Sequence, residues 1–162
     1  MSFESSAAST PLGTAASAHS APASASLHVQ LPVGKDLVLK VIPMPGDCNA
    51  NGDIFGGWVM AQVDLAGSVL PARYVKGRMA TVAVNQFIFK QPVRVGDILS
   101  FFSAVTRLGN TSITVQVEVY AERFIAQGQY IKVTEASLTY VAIDDAGKPR
   151  AIARDPTLPG GL

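Results

Sequence analysis

Residues 54–72 are apolar almost without relief, the main polar interruptions being Gln62, Asp64 and Ser68. The length of the run and its Ala, Met and Leu content favour helix over strand. Pro71 predicts a kink or an end near the last turn. A helix of this composition has almost no face suited to water. The rest of the chain must therefore wrap it, or cover one side and leave the other to a partner. The polar interruptions leave no run near the ~18 apolar residues of a membrane-spanning helix.

What surrounds the helix reads as strand. Residues 37–42 form a first strand, ended by Pro43 and Pro45. After Gly77 the pattern changes to period two, with strands predicted at 81–90, 98–107, Ser112–Glu122 and 130–143. Pro92 with Gly96-Asp97, the Leu108-Gly109-Asn110-Thr111 stretch and Asp144-Asp145-Ala146-Gly147 supply the turns. In the third of these strands Ile113, Val115, Val117 and Val119 face one way, and Thr114, Gln116, Glu118 and Tyr120 the other. One long helix and one large antiparallel sheet make an α+β domain with the helix across the sheet. Long strands with one apolar face also ask for a second layer, so an oligomer is expected.

The 162 residues suit a single domain. Residues 1–27 hold eight Ala, eight Ser and one charged residue, Glu4, too little apolar side chain to offset ordering. The expected division is a disordered extension at 1–27, one folded domain at 28–154 and a flexible C-terminus at 155–162. The extension lacks the basic start and apolar stretch of a signal peptide. A net charge of +1 gives no footprint for nucleic acid or an anionic membrane. A single cysteine, Cys48, excludes a disulfide framework and a Cys-based zinc site, and suits a reducing, cytoplasmic compartment. The only histidines, His19 and His28, lie in or beside the extension.

Between first strand and helix runs Asp47-Cys48-Asn49-Ala50-Asn51-Gly52-Asp53-Ile54. Its oxygen-bearing residues at first, third and fifth place, with Gly sixth, imitate a calcium loop. The twelfth place is Trp58, where calcium needs a bidentate Glu, so no metal is expected. An Asx-rich turn is the plainer reading for Asn49. The paired Gly56-Gly57 that follow let the backbone come close to another group at the helix start. N–H groups there lack intrahelical partners and the dipole is positive, a place for a carbonyl oxygen gaining charge. Seven residues after Gly57, Asp64 returns to the same helix face, roughly 10 Å along the axis. Aspartate suits a helix interior poorly, and Val63 and Leu65 flank it. It is either a working carboxylate or one satisfied by Ser68 one turn on or by a neighbouring backbone donor.

The stretch MPGDCNANGDIFGGWVMAQVDLAG, at 44–67, resembles the hotdog-fold acyl-CoA thioesterases, in particular the bacterial YciA-like hydrolases. The similarity continues through GRMATVAVNQFIFKQPVRVGD, GNTS, VTEASLTYVAID and GKPRAI, so it spans about 37–152. This resemblance implies a long central helix wrapped by an antiparallel sheet of five or six strands. It also implies at least a homodimer with active sites at the interface, assembling further into a hexamer of three dimers. The implied reaction is hydrolysis of acyl-CoA to a fatty or other carboxylic acid and CoA, a step of fatty acid metabolism. The family's helix aspartate falls on Asp64 and its loop asparagine, given by the other subunit, on Asn49. The backbone N–H at Gly56 or Gly57 would polarise the thioester carbonyl.

With no histidine in a motif, Ser-His-Asp and Cys-His machinery is disfavoured, as are hotdog dehydratases, and a carboxylate must serve. Asp64 would act as general base on water or attack directly to give a mixed anhydride. No cofactor is expected, because CoA belongs to substrate and product. CoA phosphates would be met by scattered cations and loop N–H groups: Arg78, Lys90, Arg107, Lys132 and Arg150, with the Gly109-Asn110-Thr111-Ser112 turn. The acyl chain would run past Trp58, Val59, Phe87 and Phe89. A non-catalytic acyl-CoA sensor is the rival, and the presence of both Asp64 and Asn49 weighs against it.

Overall fold

A computed structural model describes residues 28–153. The extension expected at 1–27 and the C-terminus at 155–162 lie outside the described residues. Strand β1 (Asp36–Val41) leads through a 3-10 turn at Pro45–Asp47 to helix α1 (Gly56–Val75). Four strands follow: β2 (Met79–Phe89), β3 (Ile98–Leu108), β4 (Ser112–Glu122) and β5 (Tyr130–Ala142). They form one sheet in the order β1-β3-β4-β5-β2, every neighbouring pair antiparallel. The α+β architecture is as expected.

The helix does not stop at Pro71. Proline removes one intrahelical hydrogen bond, at a cost of about 3 kcal/mol. Yet Pro71 is itself buried, in a stripe with Val59, Val63, Leu70 and Val75. Beyond it Tyr74 packs against the core and Val75 is buried, and at roughly 1.5–3 kcal/mol for each apolar side chain buried this outweighs the break. The end comes instead at Lys76, in the left-handed region with φ 48°, where Arg150 Nη2 donates to the Val75 carbonyl at 2.9 Å.

Ile113, Val115, Val117 and Val119 are fully buried beneath α1. Their alternates are not simply solvated: Glu118 is 8% exposed and Tyr120 5%. Val29 bridges Tyr130 at the start of β5, whereas Asp36 faces Ser103 on β3, so the intervening chain passes from one side of β4 to the other. Lys35, at its end, reaches Gln116 and Glu118, each at 3.1 Å.

The sheet covers only one side of α1. Met60 and Leu65 on the helix, and Val82, Val84 and Phe89 on the edge strand β2, remain exposed. Of the two arrangements the composition allowed, the chain takes the one that leaves an apolar face uncovered.

Candidate active site

Asp64 sits in the third turn of α1, half-buried, with its carboxylate toward β2 and β5. Thr81 Oγ1 donates to Asp64 Oδ1 at 2.8 Å. The Tyr140 hydroxyl lies 3.1 Å from the same Oδ1 and 2.9 Å from the Asp64 main-chain oxygen. Thr81 and Tyr140 face each other across β2 and β5, and the β2 register shifts just after Thr81. A bulge there turns the strand as it passes the carboxylate. Burial pushes the Tyr140 phenol well above its usual range, and the adjacent Asp64 adds to this. The phenol therefore stays protonated and donates. Ser68, the other partner considered for Asp64, donates instead to the Leu65 carbonyl at 2.7 Å.

Neither Thr81 nor Tyr140 was singled out from the residue pattern. Tyr140 carried a usable signal, since its parity matches the buried Ala136, Leu138 and Ala142, and a phenol in that register needs a partner. Thr81 carried none, being one polar residue in a strand.

Asn49 organises its own loop. Its Oδ1 accepts from the backbone N–H of Asn51 at 2.8 Å and of Asp53 at 3.3 Å, an Asx turn. With Oδ1 so occupied, the amide Nδ2 hydrogens are what the side chain can present to another molecule. No contact joins Asn49 to Asp64, Thr81 or Tyr140 among the described residues. The loop has only the short 3-10 turn Pro45–Asp47 before it and no α-helix, and no group of three His, Cys, Asp or Glu side chains able to hold a metal occurs among the described residues.

At the helix start, Phe55 occupies the N-cap without a side-chain cap. Its own N–H is taken by the Asp47 carbonyl at 2.8 Å, and the first helical bond runs from Val59 N–H to the Phe55 carbonyl. The N–H groups of Gly56, Gly57 and Trp58 are left at the positive end of the dipole. A Cβ on Gly56 would lie 3.2 Å from the Phe89 ring, so the ring packs directly on the helix start. A cavity of about 310 Å³ opens there, with Asn49, Asp53, Gly56, Val59, Phe89 and Lys90 in its wall. Phe87 meets Phe89 in a tilted pair with ring centroids 4.8 Å apart, and both Phe87 and Trp58 pack against the core.

The five cations differ in how they are engaged. Arg78 donates to the carbonyls of Asp144 and Asp145. Arg150 donates to those of Val75 and Ile143, closing the end of α1 against Gly77, where a Cβ would meet Nη2 at 2.7 Å. Lys132 pairs with Glu118 and Glu135, each at 2.7 Å, and Lys90 with Glu135 at 3.0 Å. Burial alone would raise the Glu118 carboxyl, but hydrogen bonds from Lys132, Lys35 and Tyr120 outweigh it and hold it below its ordinary value. Burial and Glu118 together push the Tyr120 phenol up to about 12. Arg107 alone of the five meets no hydrogen-bond or ion-pair partner among the described residues. It stands beside the Gly109–Ser112 turn, where Gly109 N–H donates to the Ser112 carbonyl at 2.8 Å and the carbonyls of Asn110 and Thr111 accept from Ile152 and Ala142. That turn and the cavity lie at opposite ends of the sheet, since Ser112 faces Val141 while Phe89 faces Thr134.

The thioesterase superfamily profile matches residues 51–123. The chain is 44% identical over 119 residues to the acyl-CoA thioester hydrolase YciA of Escherichia coli strain K12, covering 72% of this chain and 90% of that one. A hexameric thioesterase of Yersinia pestis superposes with TM-score 0.72 at 44% identity, over 77% of this chain and 100% of that one. A hexameric hotdog-fold thioesterase of Campylobacter jejuni does so with TM-score 0.68 at 42% identity, over 72% and 90%. A helix crossing a five-strand antiparallel sheet, matched at this identity over nearly the whole of those relatives, means that the chain belongs to the hotdog-fold acyl-CoA thioester hydrolases of the thioesterase superfamily.

Proposed function

We propose that this enzyme cleaves acyl-CoA with Asp64 as the group that acts on water. One observation carries the assignment: a half-buried carboxylate in an apolar helix has both of its hydroxyl partners on Oδ1, leaving Oδ2 without a partner among the described residues. In the proposed step Oδ2 takes a proton from water as the water oxygen bonds to the thioester carbonyl carbon. The carbonyl oxygen becomes an oxyanion and is stabilised by the N–H groups at Gly56 and Gly57. The C–S bond then breaks, the acid is released, and the CoA thiolate takes up the proton. Direct attack by Asp64 would instead pass through an anhydride. A single turnover in ¹⁸O-water that leaves label in the Asp64 carboxyl would establish the anhydride, opened by water at the Asp64 carbonyl, because the general-base route puts label only in the released acid.

Asn49 is proposed to come from a second subunit and to donate through Nδ2 to the water or the thioester. The isolation of its loop from Thr81 and Tyr140, and the uncovered apolar strip on α1 and β2, support a dimer at least. The hexameric relatives support three such dimers. Arg107 with the Gly109–Ser112 turn is the favoured CoA phosphate contact, because its guanidinium meets no partner among the described residues. Phe89 and Val59 would border the acyl chain. The half-buried free thiol of Cys48 suits a cytoplasmic enzyme.

Asp64→Asn tests the assignment. It preserves shape and the capacity to accept from Thr81 and Tyr140, so the fold should persist while kcat falls by at least ~10³-fold, counting both the lost base and the lost charge. Thiol release from an acyl-CoA panel is the readout. Turnover within a few-fold of wild type would overturn the role given to Asp64.

A further inference from the structure

Three contacts around Asp64 have a geometry that a merely space-filling tyrosine does not need. The Tyr140 hydroxyl carries one hydrogen and faces two acceptors of the same residue, the Asp64 main-chain oxygen at 2.9 Å and Oδ1 at 3.1 Å. It thereby ties the carboxylate to its own backbone and restricts rotation about the side chain. Thr81 approaches the same Oδ1 from β2 at 2.8 Å, so both donors hold one oxygen.

The third contact lies one helical turn on. A Cβ at Gly67 would stand 2.5 Å from the Tyr140 hydroxyl oxygen, 3.4 Å from its ring Cζ and 3.4 Å from Val117 Cγ2. Only the hydroxyl contact is prohibitive; the other two are near ordinary van der Waals distance. Glycine is the poorest helix former after proline, and Gly67 has helical backbone with no positive φ to require it. Its place in α1 is accounted for by the phenolic oxygen.

We propose that Tyr140 is a positioning residue for the reaction, holding Asp64 by Oδ1 so that Oδ2 faces the substrate, and that Gly67 is the opening in α1 through which its hydroxyl reaches the carboxylate. This rests on the reading of Asp64 as the acting group.

The experiment compares Tyr140→Phe, Gly67→Ala, their combination and Asp64→Asn by steady-state kinetics on one acyl-CoA, with thermal unfolding of each. Loss of a hydrogen bond to a charged group should lower kcat about 10- to 100-fold in Tyr140→Phe. KM should stay within about twofold, because the bond affects orientation and not substrate binding. Gly67→Ala should lower kcat comparably by displacing the hydroxyl, although alanine favours helix. The combination should be no slower than either single variant, since without the hydroxyl the added methyl meets only the ring and Val117 Cγ2, each at the ordinary contact distance of 3.4 Å. A Tyr140→Phe enzyme with wild-type kcat beside an inactive Asp64→Asn would overturn the proposal and leave Asp64 in place. Multiplicative losses in the combination, or losses confined to KM, would also overturn it. Turnover by Asp64→Asn would instead remove the reading on which it rests. Should Tyr140→Phe unfold, Gly67→Ala alone still decides, because wild-type kcat there contradicts the opening.

Discussion

Asp64 could be singled out because a charged residue inside an apolar helical run is anomalous wherever it is folded. Its partners could not, since Thr81 is 17 residues away and Tyr140 76. Periodicity says that Tyr140 faces inward, but not which turn of α1 it meets. Arg150 shows the converse: a cation beside the family's motifs looks available for phosphate, yet its guanidinium is engaged by the carbonyls of Val75 and Ile143 at 2.9 and 3.1 Å. Arg150→Met should therefore destabilise the domain by about 1–3 kcal/mol in urea unfolding, by leaving those carbonyls unpaired, with little change in KM. Arg107→Ala should do the reverse, raising KM several-fold in low salt and less in high salt, with stability unchanged. If the two outcomes were exchanged, Arg150 and not Arg107 would be the phosphate contact.

At the scale of elements, strand existence followed from period two and helix existence from length and composition, whereas ends depended on particular contacts. Pro71 illustrates the limit: its local cost argues for an end, and the burial that outweighs it belongs to the sheet. The outward face of β4 illustrates it again. Glu118 and Tyr120 alternate as polar residues should, but Lys35 and Lys132 arrive from other parts of the chain and take them out of water. The sign of the resulting pH effect is clear. A Glu118 carboxyl held below its ordinary 4.5 in the folded state contributes stability that is present above that value. The contribution is lost as pH falls through the lowered folded value. Acid unfolding followed by circular dichroism should accordingly be less steep between about pH 5 and 3 for Glu118→Gln than for wild type. An equally steep curve would mean that the lysine contacts contribute nothing net.

For the whole molecule, the apolar content of 48% is divided between a core under the sheet and a strip left bare on α1 and β2. Val84 lies in that strip on the edge strand, exposed although it faces the helix side with Leu138. Val84→Lys should place a charge in the proposed subunit interface, which is costly when desolvated. Light scattering should then show dissociation at micromolar protein, and activity should fall with it if Asn49 is given by the partner. Retained assembly would exclude this strip from the interface, and a fully active monomer would contradict a shared site.

The sequence by itself determined the fold class, the order of the elements, the helix that must be covered on both sides and the carboxylate on it. All of these follow from local pattern, because burial imposes a period on each element separately. Tertiary structure alone decided which hydroxyls hold Asp64, which cations are already engaged, and that Gly67 leaves room for Tyr140. Those depend on the register of β5 against β2 and on the seating of α1 over both, relations between distant residues that no local period encodes.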